Sequence, residues 1–207
     1  MKKKGTAKWI FLAIVLIAVL WIVWSITTKP EYPYIDSPQP FLGNPDASIV
    51  IIEYADLQCP SCAYYHPIIS SAIDKYNASV RYEMKHFPLT AIHSFAYNAA
   101  RGAECANDQG MAKFWEFVDQ AYANQDGGLN NKGLKRIASS IGLDREKFDA
   151  CLDSGAKKEF VNEDMASGNQ AGIKGTPSLF INGRQIDIKQ FSNIETILQN
   201  EISLLKE

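Results

Sequence analysis

The stretch from Ser48 to Asn77 constrains this chain more than any other. Ser48–Asp56 reads SIVIIEYAD, and its Ile49-Val50-Ile51-Ile52 run is β-branched throughout, the pattern of a strand buried on both faces. Cys59-Pro60-Ser61-Cys62 follows, and then Tyr65, Ile69, Ile73 and Tyr76 recur at helical spacing, so Ala63–Asn77 reads as a helix. A cysteine pair therefore falls where a strand ends and a helix begins. Backbone N–H groups and the positive end of a helix stabilise a thiolate at such a place. Pro60 suits the first helical turn, where its missing N–H would have had no partner. Cys59 is expected to be a nucleophile, and Cys62, one turn in, a buried resolving thiol. Taken alone, a Cys-x-x-Cys is also compatible with a static disulfide or half of a metal site.

Glu53 interrupts the apolar strand just before the cysteines. It is either an exposed, edge-facing carboxylate or a buried one beneath the cysteine pair, raised in pKa by desolvation and moving protons to and from Cys62. Asp56 lies in the strand-to-helix turn, where capping is expected. His66, four residues after Cys62, either faces the active site or, the favoured reading, sits on the helix surface, and His86 and His93 read as structural. The remaining cysteines, Cys105 and Cys151, stand far apart, which does not give the two close pairs of a four-cysteine zinc site. No metal or other cofactor is expected.

The N-terminus is a separate matter. Trp9–Ile26 reads WIFLAIVLIAVLWIVWSI, with Ser25 its single polar member. As a helix it would extend about 27 Å, close to the roughly 30 Å of a bilayer core. Trp9, Trp21 and Trp24 suit the two interfaces, and Lys2, Lys3, Lys4 and Lys8 place the N-terminal end in the cytoplasm. A transmembrane signal-anchor over 9–26 is expected, following a cytoplasmic basic segment at 1–8. The competing reading is a cleaved signal peptide, which needs a shorter apolar region and a better cleavage site than Ser25-Ile26-Thr27. Residues 27–45, with Pro30, Pro33, Pro38, Pro40 and Pro45, read as an extended linker. The catalytic domain, 46–207, would then lie outside the cytoplasm, where disulfides persist. The formal charge of −2 argues against a nucleic-acid-binding surface.

Together these residues resemble the DsbA-like thiol–disulfide oxidoreductases of the thioredoxin superfamily. The resemblance covers Asp46 to the C-terminus and rests on several separate elements. They are Glu53 with Cys59-Pro60-Ser61-Cys62, Pro67 in the following helix, Lys85-His86-Phe87-Pro88-Leu89, and Gly175-Thr176-Pro177-Ser178 before Leu179-Phe180-Ile181. It implies an α/β thioredoxin fold with an inserted all-helical domain, at about 90–172, preceded here by the transmembrane helix. It also implies a cis peptide bond before Pro177, with Thr176 and Pro177 facing the cysteines and offering a backbone edge to an extended substrate. Related sequences carry cysteines near Cys105 and Cys151, which favours a structural disulfide between them; two free thiols or a second redox pair are the alternatives.

The periodicity agrees with that architecture. Val80–Phe87 reads as a strand. Ile92, Phe95, Ala99, Ala103 and Ala106 make one helical face, Met111, Phe114, Val118 and Tyr122 a second, and Leu134, Ile137 and Ile141 a third. Asp144 reads as an N-cap before Arg145–Leu152, and a further helix covers Lys157–Ala171. Asn182-Gly183 signals a hairpin turn. Ile194, Ile197, Leu198, Ile202 and Leu205 close the chain with an amphipathic helix. The Phe114-Trp115-Glu116-Phe117 run reads as core packing.

The function implied is disulfide formation in exported proteins through Cys59 and Cys62. Exported protein thiols would be the substrates, and a quinone-linked membrane protein of the DsbB type would reoxidise the pair. Residues 9–26 would contact lipid. A reductase or isomerase of the same fold is the alternative, since threonine before the cis-proline occurs in those members too. A membrane-tethered chaperone or binding module without catalysis is a third reading.

Overall fold

The computed structural model describes residues 14–20, 39–126 and 128–205. The chain divides into two units, Met1–Tyr34 and Ile35–Glu207. In the first, residues 14–20 are helical and expose Ile14, Leu16, Ile17 and Leu20. The predicted span at 9–26 otherwise lies outside the described residues, as does the linker up to residue 38. No helix among the described residues is long and apolar enough to cross a membrane.

The second unit is built on a five-stranded sheet. Its strands are β1 (Phe41–Gly43), β2 (Ile49–Ala55), β3 (Val80–His86), β4 (Ser178–Ile181) and β5 (Arg184–Ile186), in the order β1-β3-β2-β4-β5. Helix α1 (Pro60–Lys75) carries the chain from β2 to the parallel strand β3, and every other pairing is antiparallel. The sheet starts inside the predicted linker: Phe41 pairs with Glu83, and the Arg81 guanidinium stacks 4.7 Å over the Phe41 ring. A proline-rich composition predicts an extended backbone, and an extended backbone beside a free sheet edge can pair with it.

Burial along β2 is uneven. Ile49 and Ile51 are fully buried while Val50 and Ile52 are half-buried; only from Glu53 to Ala55 are both faces covered. The cover at that end comes from five helices inserted between β3 and β4: α2 (Ala96–Asn107), α3 (Met111–Ala123), α4 (Asn131–Ser140), α5 (Arg145–Ser154) and α6 (Lys158–Gln170). Tyr54 reaches α6 through a 2.6 Å hydrogen bond with Ser167. Gly168 lets α6 come this close, because a Cβ there would meet the Phe87 ring at 2.5 Å. A 3-10 turn (Ile188–Asn193) and α7 (Ile194–Leu204) pack on α1 and complete the fold.

Most local expectations hold. Asp144 caps α5, accepting from the Lys147 N–H at 3.1 Å. Asn182 and Gly183 turn with φ of 46° and 80°, as a two-residue hairpin requires. Phe114, Trp115 and Phe117 are core residues. Cys105 on α2 and Cys151 on α5 form a disulfide. The ends of the predicted helical faces differ. Ile92 is 74% exposed because residues 89–95 fold as a turn ahead of α2, and Met111 and Leu205 also face solvent at helix ends.

One buried polar cluster joins β3 to the insertion. Asp164 of α6 is fully buried, accepting from Gln39 Nε2 at 3.1 Å and from the His86 N–H at 2.8 Å. The His86 ring in turn contacts Glu104 at 3.0 Å. Burial pushes the Asp164 carboxyl up to about 7, against the opposing influence of His86 and Lys85. Folding therefore favours the protonated acid, a contribution complete below about pH 4 and lost as pH rises through about 7. Asp164→Asn is expected to remove a loss of stability on the order of a few kcal/mol between those limits. Gln39 Oε1, without a partner among the described residues, can accept from the new amide once the Gln39 side chain turns over. Urea midpoints across that pH range measure the slope, and an undiminished slope in Asp164→Asn would assign it to other groups.

Candidate active site

The cysteine pair sits where β2, at the centre of the sheet, hands the chain to α1. Cys59 is the N-cap residue of α1, with extended φ and ψ of −76° and 120°, and Pro60 occupies the first turn. Asp56 is not the cap. Its carboxylate accepts from the Gln58 N–H at 2.7 Å and the Leu89 N–H at 2.8 Å, and meets His93 Nδ1 at 2.7 Å. A carboxylate in that turn serves the turn's own N–H groups and the loop after β3, leaving the first amides of α1 to Cys59.

Those amides act on the cysteine. Cys59 is 6% exposed, and its sulfur lies 3.4 Å from the Thr176 carbonyl oxygen. Its pKa is lowered to about 5, chiefly because the Cys62 thiol donates to it. Burial opposes this, and Thr176 and the backbone N–H groups of Cys62 and Ser61 add to the lowering. Cys62 is fully buried and moves the other way, raised by burial, by its hydrogen bond to Cys59 and by the Glu53 charge. One pair of identical side chains is thus split into a thiolate and a thiol.

Glu53 takes the buried alternative: it is 1% exposed, on the same strand that delivers the cysteines. Burial raises its carboxyl, and the Tyr82 hydroxyl, donating at 2.5 Å, works against that. Across from the pair, the Thr176–Pro177 bond is cis, and the Thr176 hydroxyl is buried. An open cleft of about 720 Å³ adjoins this loop, lined by Lys174, Gly175, Thr176, Pro177, Gln185 and Ile188 among others. The fold thus brings Glu53, Cys59, Cys62, Thr176 and Pro177 into one region, and sets Cys105 and Cys151 apart in the insertion.

Three further residues reach the site, of which only His66, four residues after Cys62, carries a sequence signal of it. Gln125, at the end of the turn after α3, donates to the carbonyls of Leu57 and Cys59 at 2.9 and 3.1 Å and so clamps the active-site turn. Nothing in its surroundings marks it. Tyr82 belongs to the inward face of β3 with Val80 and Met84, and a buried tyrosine hydroxyl needs a partner. His66 is buried rather than on the helix surface, because α3 packs over that face of α1. Among the described residues no cluster of three or more His, Cys, Asp or Glu side chains could hold a metal ion.

The Thioredoxin family profile matches residues 36–200. Among curated proteins, the chain is 36% identical over 160 residues to the Na(+)/H(+) antiporter NhaA 3 of Salinispora tropica, covering 77% of this chain and 23% of that protein. It is 34% identical over 157 residues to NhaA of Herminiimonas arsenicoxydans, with 76% and 23% covered. The chain thus spans about a quarter of the length of these relatives. Among solved structures, BdbD from Bacillus subtilis superposes with a TM-score of 0.70 at 22% identity, covering 80% of this chain and 93% of that one. DsbA2 from Pseudomonas aeruginosa does so with a TM-score of 0.65 at 28% identity, covering 81% and 93%. The thiol–disulfide exchange protein alpha-DsbA2 from Wolbachia pipientis gives 0.68 at 21%, covering 79% and 88%.

Proposed function

The chain belongs to the thioredoxin family, and on that premise we propose that it is a thiol–disulfide oxidoreductase that forms disulfides in exported proteins. The observation that carries this reading is the opposite displacement of the two cysteines, Cys59 down to about 5 and Cys62 up. A thiolate stabilised in the reduced protein makes the oxidised protein give up its disulfide readily. The likeness to DsbA2 of Pseudomonas aeruginosa supports the same chemistry. The antiporter names belong to proteins far longer than the matched stretch, and transport is not proposed for this chain.

In the forward direction a substrate thiolate attacks Cys59 Sγ. The Cys59–Cys62 bond breaks, and Cys62 leaves with the electron pair and takes a proton from Glu53. A second substrate thiolate then attacks its partner sulfur in the mixed disulfide and expels Cys59 as a stable thiolate. Two electrons have passed to the pair, and the substrate leaves oxidised. The cleft beside Thr176 and Pro177 would take the extended substrate chain. A membrane protein of the DsbB type would reoxidise the pair. Residues 9–26, as an anchor with the N-terminus in the cytoplasm, would keep the domain at the outer face of the same membrane; the lysine cluster and the apolar run support that placement.

The reduction potential of the Cys59–Cys62 pair, equilibrated against glutathione, tests the direction of transfer. A value near −120 mV is expected for an oxidase; one near −270 mV would make the same site a reductase. A pair with no reversible equilibrium would leave only the binding-module reading.

A further inference from the structure

His66 and Asp119 take no part in the sulfur chemistry above, yet they connect its buried centre to the surface. His66 follows Cys62 by one turn on the buried face of α1, the spacing at which helical side chains are neighbours. Its Nε2 lies 2.7 Å from Asp119 Oδ1 of α3, and its ring 4.8 Å from that of Tyr122, one turn of α3 further on. Tyr122 is buried, its hydroxyl without a partner among the described residues. Asp119, by contrast, has a side chain 62% exposed. The imidazole thus sits between a buried carboxyl–thiol pair and a carboxylate in water.

The charged and titratable groups around that pair come from every neighbouring element. Tyr82 comes from β3, Cys59 and His66 from α1, Tyr122 and Asp119 from α3, and Asp56 from the turn after β2. Burial raises the Glu53 carboxyl most; the Tyr82 hydrogen bond and then the charge of His66 oppose it. Tyr122 is pushed up by burial and by Cys62 and Glu53, so it stays a neutral wall.

We propose that His66, held by Asp119 of the helical insertion, is a positioning residue for the proton of the resolving thiol, fixing whether Glu53 stands ready as acid or as base for Cys62. The proposal rests on the oxidoreductase reading. When the Cys59–Cys62 bond opens, the electron pair leaves with Cys62 Sγ, and the proton of the Glu53 acid neutralises it. In reverse, the Cys62 thiol gives its proton to the Glu53 carboxylate. The resulting thiolate attacks Cys59 Sγ of a mixed disulfide, forming the Cys59–Cys62 bond and releasing the bound thiol as a thiolate. In the first direction the buried site holds a carboxylate until a proton returns from water, and the His66 imidazole, hydrogen-bonded to Asp119, acts on that charge.

The test uses the full chain in detergent, loaded at Cys59 as the mixed disulfide with glutathione. Glutathione release in a single turnover is followed from about pH 4 to about pH 8, where a base-assisted step shows a rising limb. In His66→Gln the limb is expected to move to higher pH, with release several-fold slower near its foot; Asp119→Asn is expected to move it less, in the same direction. The Cys59 thiolate absorbance of the reduced protein should still titrate near 5 in both variants, a readout that general damage to the site would disturb. Asp119 is exposed, so its replacement leaves the fold intact and decides the matter alone. A release profile for Asp119→Asn that superimposes on the parent's, or moves to lower pH, overturns the proposal. A Cys62→Ala chain that forms no glutathione adduct at Cys59 sinks the oxidoreductase reading, and this inference with it.

Discussion

Cys59→Ala is expected to abolish thiol–disulfide exchange, and Cys62→Ala to keep the first step while losing release. The second variant should then accumulate as mixed disulfides with substrate proteins, visible on non-reducing gels and dissolved by reductant. The depressed pKa of Cys59 predicts how this chemistry responds to pH. At pH 7 a thiol with pKa about 5 has roughly thirtyfold more thiolate than an ordinary one. Intrinsic nucleophilicity falls by about the same factor over that interval, so attack gains little. The net gain is in leaving: Cys59 is expelled easily from a mixed disulfide, as disulfide donation requires. Because the pKa is lowered in the fold, the stabilisation of the reduced protein is complete above the ordinary thiol range and is lost as pH falls through about 5. The parent's exchange with glutathione should fall away in that acid range. A Cys62→Ala protein that traps nothing would mean that Cys59 is no nucleophile.

Removing the Cys105–Cys151 disulfide has the second largest expected effect, and it falls on stability rather than chemistry. The bridge spans a sequence separation of 46, for which chain entropy gives about 4 kcal/mol. The double Cys→Ser variant is expected to unfold roughly 10 °C lower in a thermal scan. Its exchange activity below that temperature should be retained, since the bridge joins α2 to α5 away from Cys59. Arg101, donating to the Leu152 carbonyl, holds the same helices together, and the Phe117 and Phe148 rings, with centroids 5.6 Å apart, tie α5 to α3. An unchanged melting temperature would show these contacts to be sufficient by themselves.

The main elements were legible because each depends on its own local pattern. The β-branched run marked β2, the Cys59–Cys62 spacing marked the start of α1, and Asp144 and Asn182-Gly183 marked a cap and a turn whose geometry is set within a few residues. The strand at Phe41–Gly43 was not legible, because its partner at Arg81–Glu83 is remote in sequence and prolines precede it. Ile92 misled for a related reason: its spacing fits a helix, but Asp56 draws the Leu89 N–H and the His93 ring into a turn instead.

For the site, the sequence alone determined which atoms can do chemistry: two thiols at a strand–helix junction, a carboxyl one strand position away from apolar, and a proline loop ahead of a later strand. It left open whether Glu53 was buried and whether Cys105 met Cys151, and it favoured the surface for His66. Those were decided only when the helices between β3 and β4 closed over the end of the sheet. Burial and charge proximity are properties of what packs against a residue, and the groups that pack here, Gln125, Tyr122 and Asp119 among them, come from parts of the chain that no local pattern connects to Cys59.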